Sequence, residues 1–109
     1  MFTGCGTALV TPFHADGSLD EATLRKLVRR QIDARIHFLV PCGTTGESPT
    51  LSHDEHLRVV EITVEEAAGK TPVLAGCGGY NTADLVALAK ELHQLKVDGL
   101  LSVTPYYNK

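Results

Sequence analysis

Two hydroxyl side chains, Thr44 and Thr45, stand side by side in the stretch GTTGES at residues 43–48, with Gly43 and Gly46 on either side. Such a pair offers two hydroxyl donors, and the flanking glycines free backbone N–H groups to turn toward an anion. A small keto-acid carboxylate suits that arrangement. The same residues also make an ordinary turn, in which glycine supplies positive φ and threonine caps a neighbouring group. A phosphate cradle fits less well. A P-loop has Lys and then Ser or Thr after its second glycine, whereas Glu47 follows Gly46 here and would repel a triphosphate. The dinucleotide fingerprint fails as well: after Gly4 and Gly6 the third position is Leu9, and after Gly76 and Gly78 it is Asn81.

Other groups could take part. PYYNK places Tyr106 and Tyr107 next to each other, so they point in different directions. One could pack or sit in an interface while the other offers its hydroxyl for proton transfer. HDEH sets His53 and His56 three apart, but the zincin spacing is absent and no third ligand stands out, so no metal is expected. That stretch reads as a polar first helical turn, with an effector-binding role the better functional alternative. Cys42 and Cys77 read as small core thiols. Lys26, Lys70, Lys90 and Lys96 fall on helices or helix ends. None is expected inside a strand, where desolvation could lower an amine's pKa for Schiff-base work.

The elements that must carry these groups follow from periodicity. Leu24, Leu27, Val28 and Ile32 share a helical face within residues 18–36, and Ser18 with Glu21 gives a capping-box pattern at its start. Leu57, Val60, Val64 and Ala67 or Ala68 do the same in a second helix, capped by Ser52 with Glu55 and stopped near Gly69. Leu85, Leu88, Ala89, Leu92 and Leu95 line a third, with Asn81 or Thr82 at its cap. Between the helices, residues 7–10, 37–40, 72–75 and 100–103 are short apolar runs followed by Gly or Pro, as strands buried on both faces read. Strict strand–helix alternation predicts a parallel sheet with right-handed crossovers. The loops are unequal. TPFHADGS, PCGTTGES, GCGGYN and TPYYNK follow strands, whereas the bland ARIH, AGKT and KVDG follow helices. Chemistry-bearing residues thus gather at the carboxyl ends of the strands, the ligand-binding edge of α/β folds and the catalytic face of a (β/α)8 barrel.

The chain has 109 residues, 43% hydrophobic and 21% charged, with a formal net charge of -3. That is one domain at most, with no basic stripe for nucleic acid. Three cysteines, widely spaced, suit a reducing cytosol, and no leader or span of ~20 apolar residues is visible, so a cytoplasmic, membrane-free protein is expected. Four strands and three helices are half of a (β/α)8 barrel, which takes ~250 residues. Residues 1–109 are therefore expected to be an incomplete TIM-barrel domain, the first half of a longer protein.

GTALVTPF, GTTGESPTLSHDEH, GCGGYNTADLVALAKE and LLSVTPYYNK together resemble the dihydrodipicolinate synthase family. It lies within the pyruvate-dependent class I aldolases that include N-acetylneuraminate lyase. The resemblance runs from Met1 to Lys109. It implies a (β/α)8 barrel, a tetramer built as a dimer of dimers, and condensation of pyruvate with aspartate 4-semialdehyde on the route to lysine and diaminopimelate. Pyruvate is carried as a Schiff base on a lysine, with no cofactor. By this resemblance Thr45 binds the pyruvate carboxylate, Thr44 is the middle of a proton relay, and Tyr107 is a relay member donated to the neighbouring subunit. Tyr106 packs at the tight-dimer interface. Positions matching the lysine-effector site are Ser48, Pro49, His53, His56, Tyr80, Asp84 and Tyr106. Tyr80 and Asp84 depart from the asparagine and glutamate often found in inhibited members, which argues against lysine feedback.

The resemblance places the Schiff-base lysine, a second relay tyrosine and the aldehyde-binding arginine beyond residue 109. These residues alone are then expected to be inactive, the intact parent being the enzyme. Two alternatives remain open at this point. One is a pyruvate aldolase acting on a sugar acid, and the other a half-barrel that binds a carboxylate or serves assembly without turnover.

Overall fold

The computed structural model describes residues 2–107. Its elements run β1 (Gly6–Ala8), α1 (Glu21–Asp33), β2 (Phe38–Val40), α2 (His53–Ala67), β3 (Leu74–Gly76), α3 (Thr82–Gln94) and β4 (Gly99–Leu101), with a short 3-10 turn at Ser48–Thr50 before α2. The expected alternation holds, and each strand is shorter than the apolar run that announced it.

The strands pair in parallel and in sequence order. Gly6, Thr7 and Ala8 lie opposite Phe38, Leu39 and Val40, and Leu74, Ala75 and Gly76 opposite Gly99, Leu100 and Leu101. β2 and β3 are joined more loosely, through a parallel bridge between Leu39 and Val73. The Leu39 N–H donates to the Pro72 carbonyl at 3.0 Å and the Gly76 N–H to the Pro41 carbonyl at 2.9 Å. Sequential parallel strands with a helix after each of the first three are the first half of a (β/α)8 barrel.

The helices bury the faces that their periodicity marks. Leu24 and Val28 of α1, Val59, Val60 and Ile62 of α2 and Leu92 of α3 are fully buried with Leu39, Val73 and Ala75 of the sheet. Each such side chain contributes about 1.5–3 kcal/mol on leaving water. α2 starts as expected: the Ser52 hydroxyl accepts from the Glu55 N–H and the Glu55 carboxylate accepts from the Ser52 N–H, a complete capping box. It ends through Ala68 and Gly69, both at positive φ.

α1 starts differently from expectation. Asp20, not Ser18, is its cap, accepting from the Thr23 N–H at 3.0 Å and the Thr23 hydroxyl at 2.7 Å. Ser18 instead donates its hydroxyl and N–H to Asp16 in the preceding turn. A carboxylate within reach of the helix N-terminus outcompetes the hydroxyl two residues earlier. Asn81 is the cap of α3, accepting from the Asp84 N–H at 3.3 Å.

An ionic lattice ties α1 to α2 on their outer side. Arg25 donates to Glu65 and Glu66, Arg29 to Glu66, and Arg58 to Glu21 and Glu61. With the helices packed outside, the carboxyl ends of the strands open on one rim.

Candidate functional site

The rim is built around the segment that leaves β2. After Val40 the chain passes through Cys42 at φ 57°, a left-handed conformation in a non-glycine residue. Such a residue costs of order 1–3 kcal/mol unless its surroundings hold it. Here they do. Cys42 is buried, its thiol faces the His56 carbonyl at 3.7 Å, and its own carbonyl presses on the Cα of Gly76, where a Cβ would collide with it. Burial pushes the Cys42 thiol up to about 12, so it is a packed thiol and not a nucleophile.

Past Cys42 the backbone turns tightly. The Gly46 N–H donates to the Gly43 carbonyl at 3.1 Å, and the Glu47 N–H to the Thr44 carbonyl at 3.0 Å. Glu47, also left-handed at φ 57°, leads into the 3-10 turn with Pro49 in its first positions. From the loop after β1, the buried Thr11 hydroxyl donates to the Gly46 carbonyl at 2.7 Å. Thr44 and Thr45 sit at the exposed apex of this turn. Among the described residues their amide N–H groups donate to no backbone carbonyl.

Beside the turn lies a cleft of about 280 Å³, whose lining includes Thr44, Ser48, Pro49, Gly76, Gly78 and Tyr106. The Tyr106 ring meets Tyr80 edge-to-face, with centroids 5.6 Å apart at 74°. His56 lies beneath, buried, its Nε2–H donating to the Gly76 carbonyl at 2.8 Å. Its pKa is lowered, mainly by burial, so the ring is neutral near pH 7.

The structure thus gathers Thr44, Ser48, Pro49 and Tyr106 at one cleft, with Tyr80 attached through Tyr106 and His56 supporting the floor. Thr45 is on the same turn but does not line the cleft. Three candidates stand apart. His53 turns to the carboxylate of Glu91 on α3 at 2.8 Å. Asp84 lines a separate hollow with Tyr80 on the far side of the loop after β3. Tyr107 is 96% exposed and has a φ of 78°. His53 and His56 therefore face different ways, as their separate partners show. Lys26, Lys70, Lys90 and Lys96 are all exposed, none of them on a strand.

Thr11 and Gly76 are the supports that motif reasoning missed. The signals were slight: a threonine and a glycine at strand ends, significant only once β1, β2 and β3 are adjacent.

Half a parallel barrel whose strand-end loops carry a threonine pair, a cleft and a tyrosine pair belongs with the (β/α)8 proteins that bind ligands on this rim. The chain is a member of the Dihydrodipicolinate synthetase family, whose profile matches residues 1–109. It is 59% identical over 107 residues to the 4-hydroxy-tetrahydrodipicolinate synthase of Koribacter versatilis, covering 97% of this chain and 36% of that protein. To the synthase of the same name from Acidiphilium cryptum it is 57% identical over 109 residues, covering 100% of this chain and 37% of that protein. Among solved structures it is similar to the chloride-inhibited dihydrodipicolinate synthase of Acinetobacter baumannii complexed with pyruvate. That match has a TM-score of 0.97 at 39% identity and covers 100% of this chain and 38% of the other. The chain thus spans a little over a third of the length of these relatives.

Proposed function

We propose that this chain supplies the pyruvate-gripping half of a 4-hydroxy-tetrahydrodipicolinate synthase, which condenses pyruvate with aspartate 4-semialdehyde. The observation that supports the reading is the exposed, open pair of donors at Thr44 and Thr45. Among the described residues their two backbone N–H groups reach no backbone carbonyl and their side chains are exposed at the rim, as a site for a small carboxylate requires. Thr45 holds the carboxylate through its hydroxyl and N–H. Thr44, facing the cleft, passes a proton. Tyr107, standing clear of its own chain, is the relay member given to a neighbouring subunit, with Tyr106 packing at the dimer interface. Ser48, Pro49, His53, His56, Tyr80, Asp84 and Tyr106 are the effector-side residues of this reading, and lysine feedback is not expected. The assembly proposed is a dimer of dimers in the cytoplasm.

The chemistry needs an amine that attacks the pyruvate carbonyl, loses water to give an imine, and sheds a proton to give the carbon nucleophile. Every described lysine is exposed, and none is on a strand. By resemblance to the family the amine is a lysine outside these 109 residues, and the 109-residue chain alone does not turn over.

The test has two arms. Pyruvate with borohydride leaves no stable adduct on the 109-residue chain but labels one lysine of the full-length protein. The full-length protein turns over pyruvate with aspartate 4-semialdehyde faster than it cleaves sugar acids. A reduced adduct on the short chain, or a preference for sugar acids, overturns the reading.

A further inference from the structure

We infer that Thr11, on the loop leaving β1, is a positioning residue for the carboxylate grip of Thr44 and Thr45; this rests on the proposed reading of that site. Its hydroxyl is 5% exposed as a residue and donates to the Gly46 carbonyl at 2.7 Å, across 35 positions of sequence. It ties the loop after β1 to the threonine turn. Gly46 is closely held on the same side: a Cβ there would stand 3.0 Å from the Leu9 carbonyl, 3.2 Å from the Cys42 nitrogen and 3.2 Å from the Thr11 hydroxyl.

The consequence is geometric. The Gly46–Glu47 peptide is held at both ends, its carbonyl by the Thr11 hydroxyl at 2.7 Å and its N–H by the Thr44 carbonyl at 3.0 Å. The Thr44 carbonyl shares its peptide plane with the Thr45 N–H, so the anchor at Gly46 is passed on to that donor. The internal bond from Gly46 N–H to Gly43 carbonyl closes the turn from the other side. The Thr45 N–H and hydroxyl are therefore presented in one orientation before a ligand arrives, and preorganisation of this kind lowers the cost of binding. Thr11 itself does not touch the ligand, since its only hydroxyl proton is used in the anchor.

The experiment is steady-state kinetics on the full-length enzyme, comparing Thr11→Val, Thr11→Ser, Thr45→Val and the double variant T11V/T45V. Losing one hydrogen bond predicts a pyruvate KM raised roughly five- to tenfold by Thr11→Val, with kcat for saturated enzyme changed less than about twofold. Thr11→Ser keeps the donor and stays close to the parent. The double variant loses less than the two single effects combined, because Thr11 acts in part through the Thr45 hydroxyl that Thr45→Val removes. A purely structural role for Thr11 would instead lower stability and add its effect to that of Thr45→Val. Should Thr11→Val not fold, Thr11→Ala, which also lacks the donor, takes its place in the same kinetics. Unchanged KM in the donor-less variant or an additive double variant overturns the inference while leaving the grip itself standing. An unchanged KM in Thr45→Val removes both.

Discussion

The His56 ring and the Gly76 backbone are locked together: Nε2–H of His56 donates to the Gly76 carbonyl at 2.8 Å, joining the first turn of α2 to the end of β3 under the cleft. Burial holds the His56 pKa below its ordinary value of 6.5, with nearby His53 pushing the same way and the Gly76 bond opposing. The unfolded chain therefore takes up this proton first as pH falls. His56 contributes stability that is whole above about pH 6.5 and lost as pH drops through the lowered folded value. The urea midpoint is expected to decline in that window, and His56→Gln to flatten it. A separate decline belongs to the carboxylates of Asp20, Glu21 and Glu66, which hydrogen bonds hold below their ordinary values near 4. The two limbs differ in pH, so a stability–pH curve of the variant removes one and leaves the other.

Gly76 carries the second prediction. A Cβ on it would collide with the backbone carbonyl of Cys42 and crowd the Gly43 nitrogen, and neither atom can swing aside as a side-chain tip could. Gly76→Ala is expected to lower stability by about 1–3 kcal/mol, the range of overpacked cores. Because Cys42 and Gly43 lead directly into Thr44, the same change should also weaken pyruvate binding. Gly69→Ala serves as a control: it strains a positive φ but meets no atom within 4 Å, so it lowers stability without touching the rim. Denaturant melts and pyruvate titrations of both variants separate the two effects.

Much of this organisation was legible in the amino-acid sequence, for physical reasons that also explain the gaps. The start of α2 could be read because Ser52 and Glu55 satisfy each other locally, and Val60 and Ala67 marked its buried face, although Val59 and Ile62 are buried there too while Leu57 and Val64 are only half-buried. α1 was misjudged at its start because Ser18 and Asp20 both match a cap, and only the backbone decides which reaches the Thr23 N–H. The rim as a whole was visible in the contrast between rich and bland loops. The Thr11–Gly46 and His56–Gly76 bonds were not. Each joins residues 20 or more positions apart whose meeting depends on strand order. The divergence of His53 from His56 was equally hidden, since three residues along a helix leave two side chains near one another until their partners pull them apart.

The lattice between α1 and α2 gives a third prediction. Glu66 accepts from both Arg25 and Arg29, at 2.9 and 2.7 Å, and its side chain is only 11% exposed. Removing its charge leaves two guanidinium groups facing each other without their shared carboxylate. Glu66→Gln is expected to cost about 1 kcal/mol or less, since surface ion pairs are screened and their geometry is entropically costly. High salt should shrink the difference between the two proteins. A destabilisation that grows with salt would mean that the lattice acts through packing of the arginine stems instead.

The Ser52 capping box offers the last. Its hydroxyl accepts from the Glu55 N–H at 3.1 Å while the Glu55 carboxylate accepts from the Ser52 N–H at 2.9 Å, so two helix-end donors are satisfied at once. Ser52→Ala removes the first bond and leaves the Glu55 N–H without its acceptor, a loss of about 1 kcal/mol. Ser52→Asp keeps an acceptor beside the positive end of α2 and should recover most of it. The location gives the change a second consequence. His56 sits one turn into this helix and holds the floor of the cleft, so fraying at Ser52 loosens the His56–Gly76 bond from one side. Amide hydrogen exchange should therefore quicken at residues 54–56 and also at Gly76, whose N–H bonds the Pro41 carbonyl at 2.9 Å. Faster exchange confined to residues 54–56, with Gly76 unchanged, would show that the helix end and the floor of the cleft move independently.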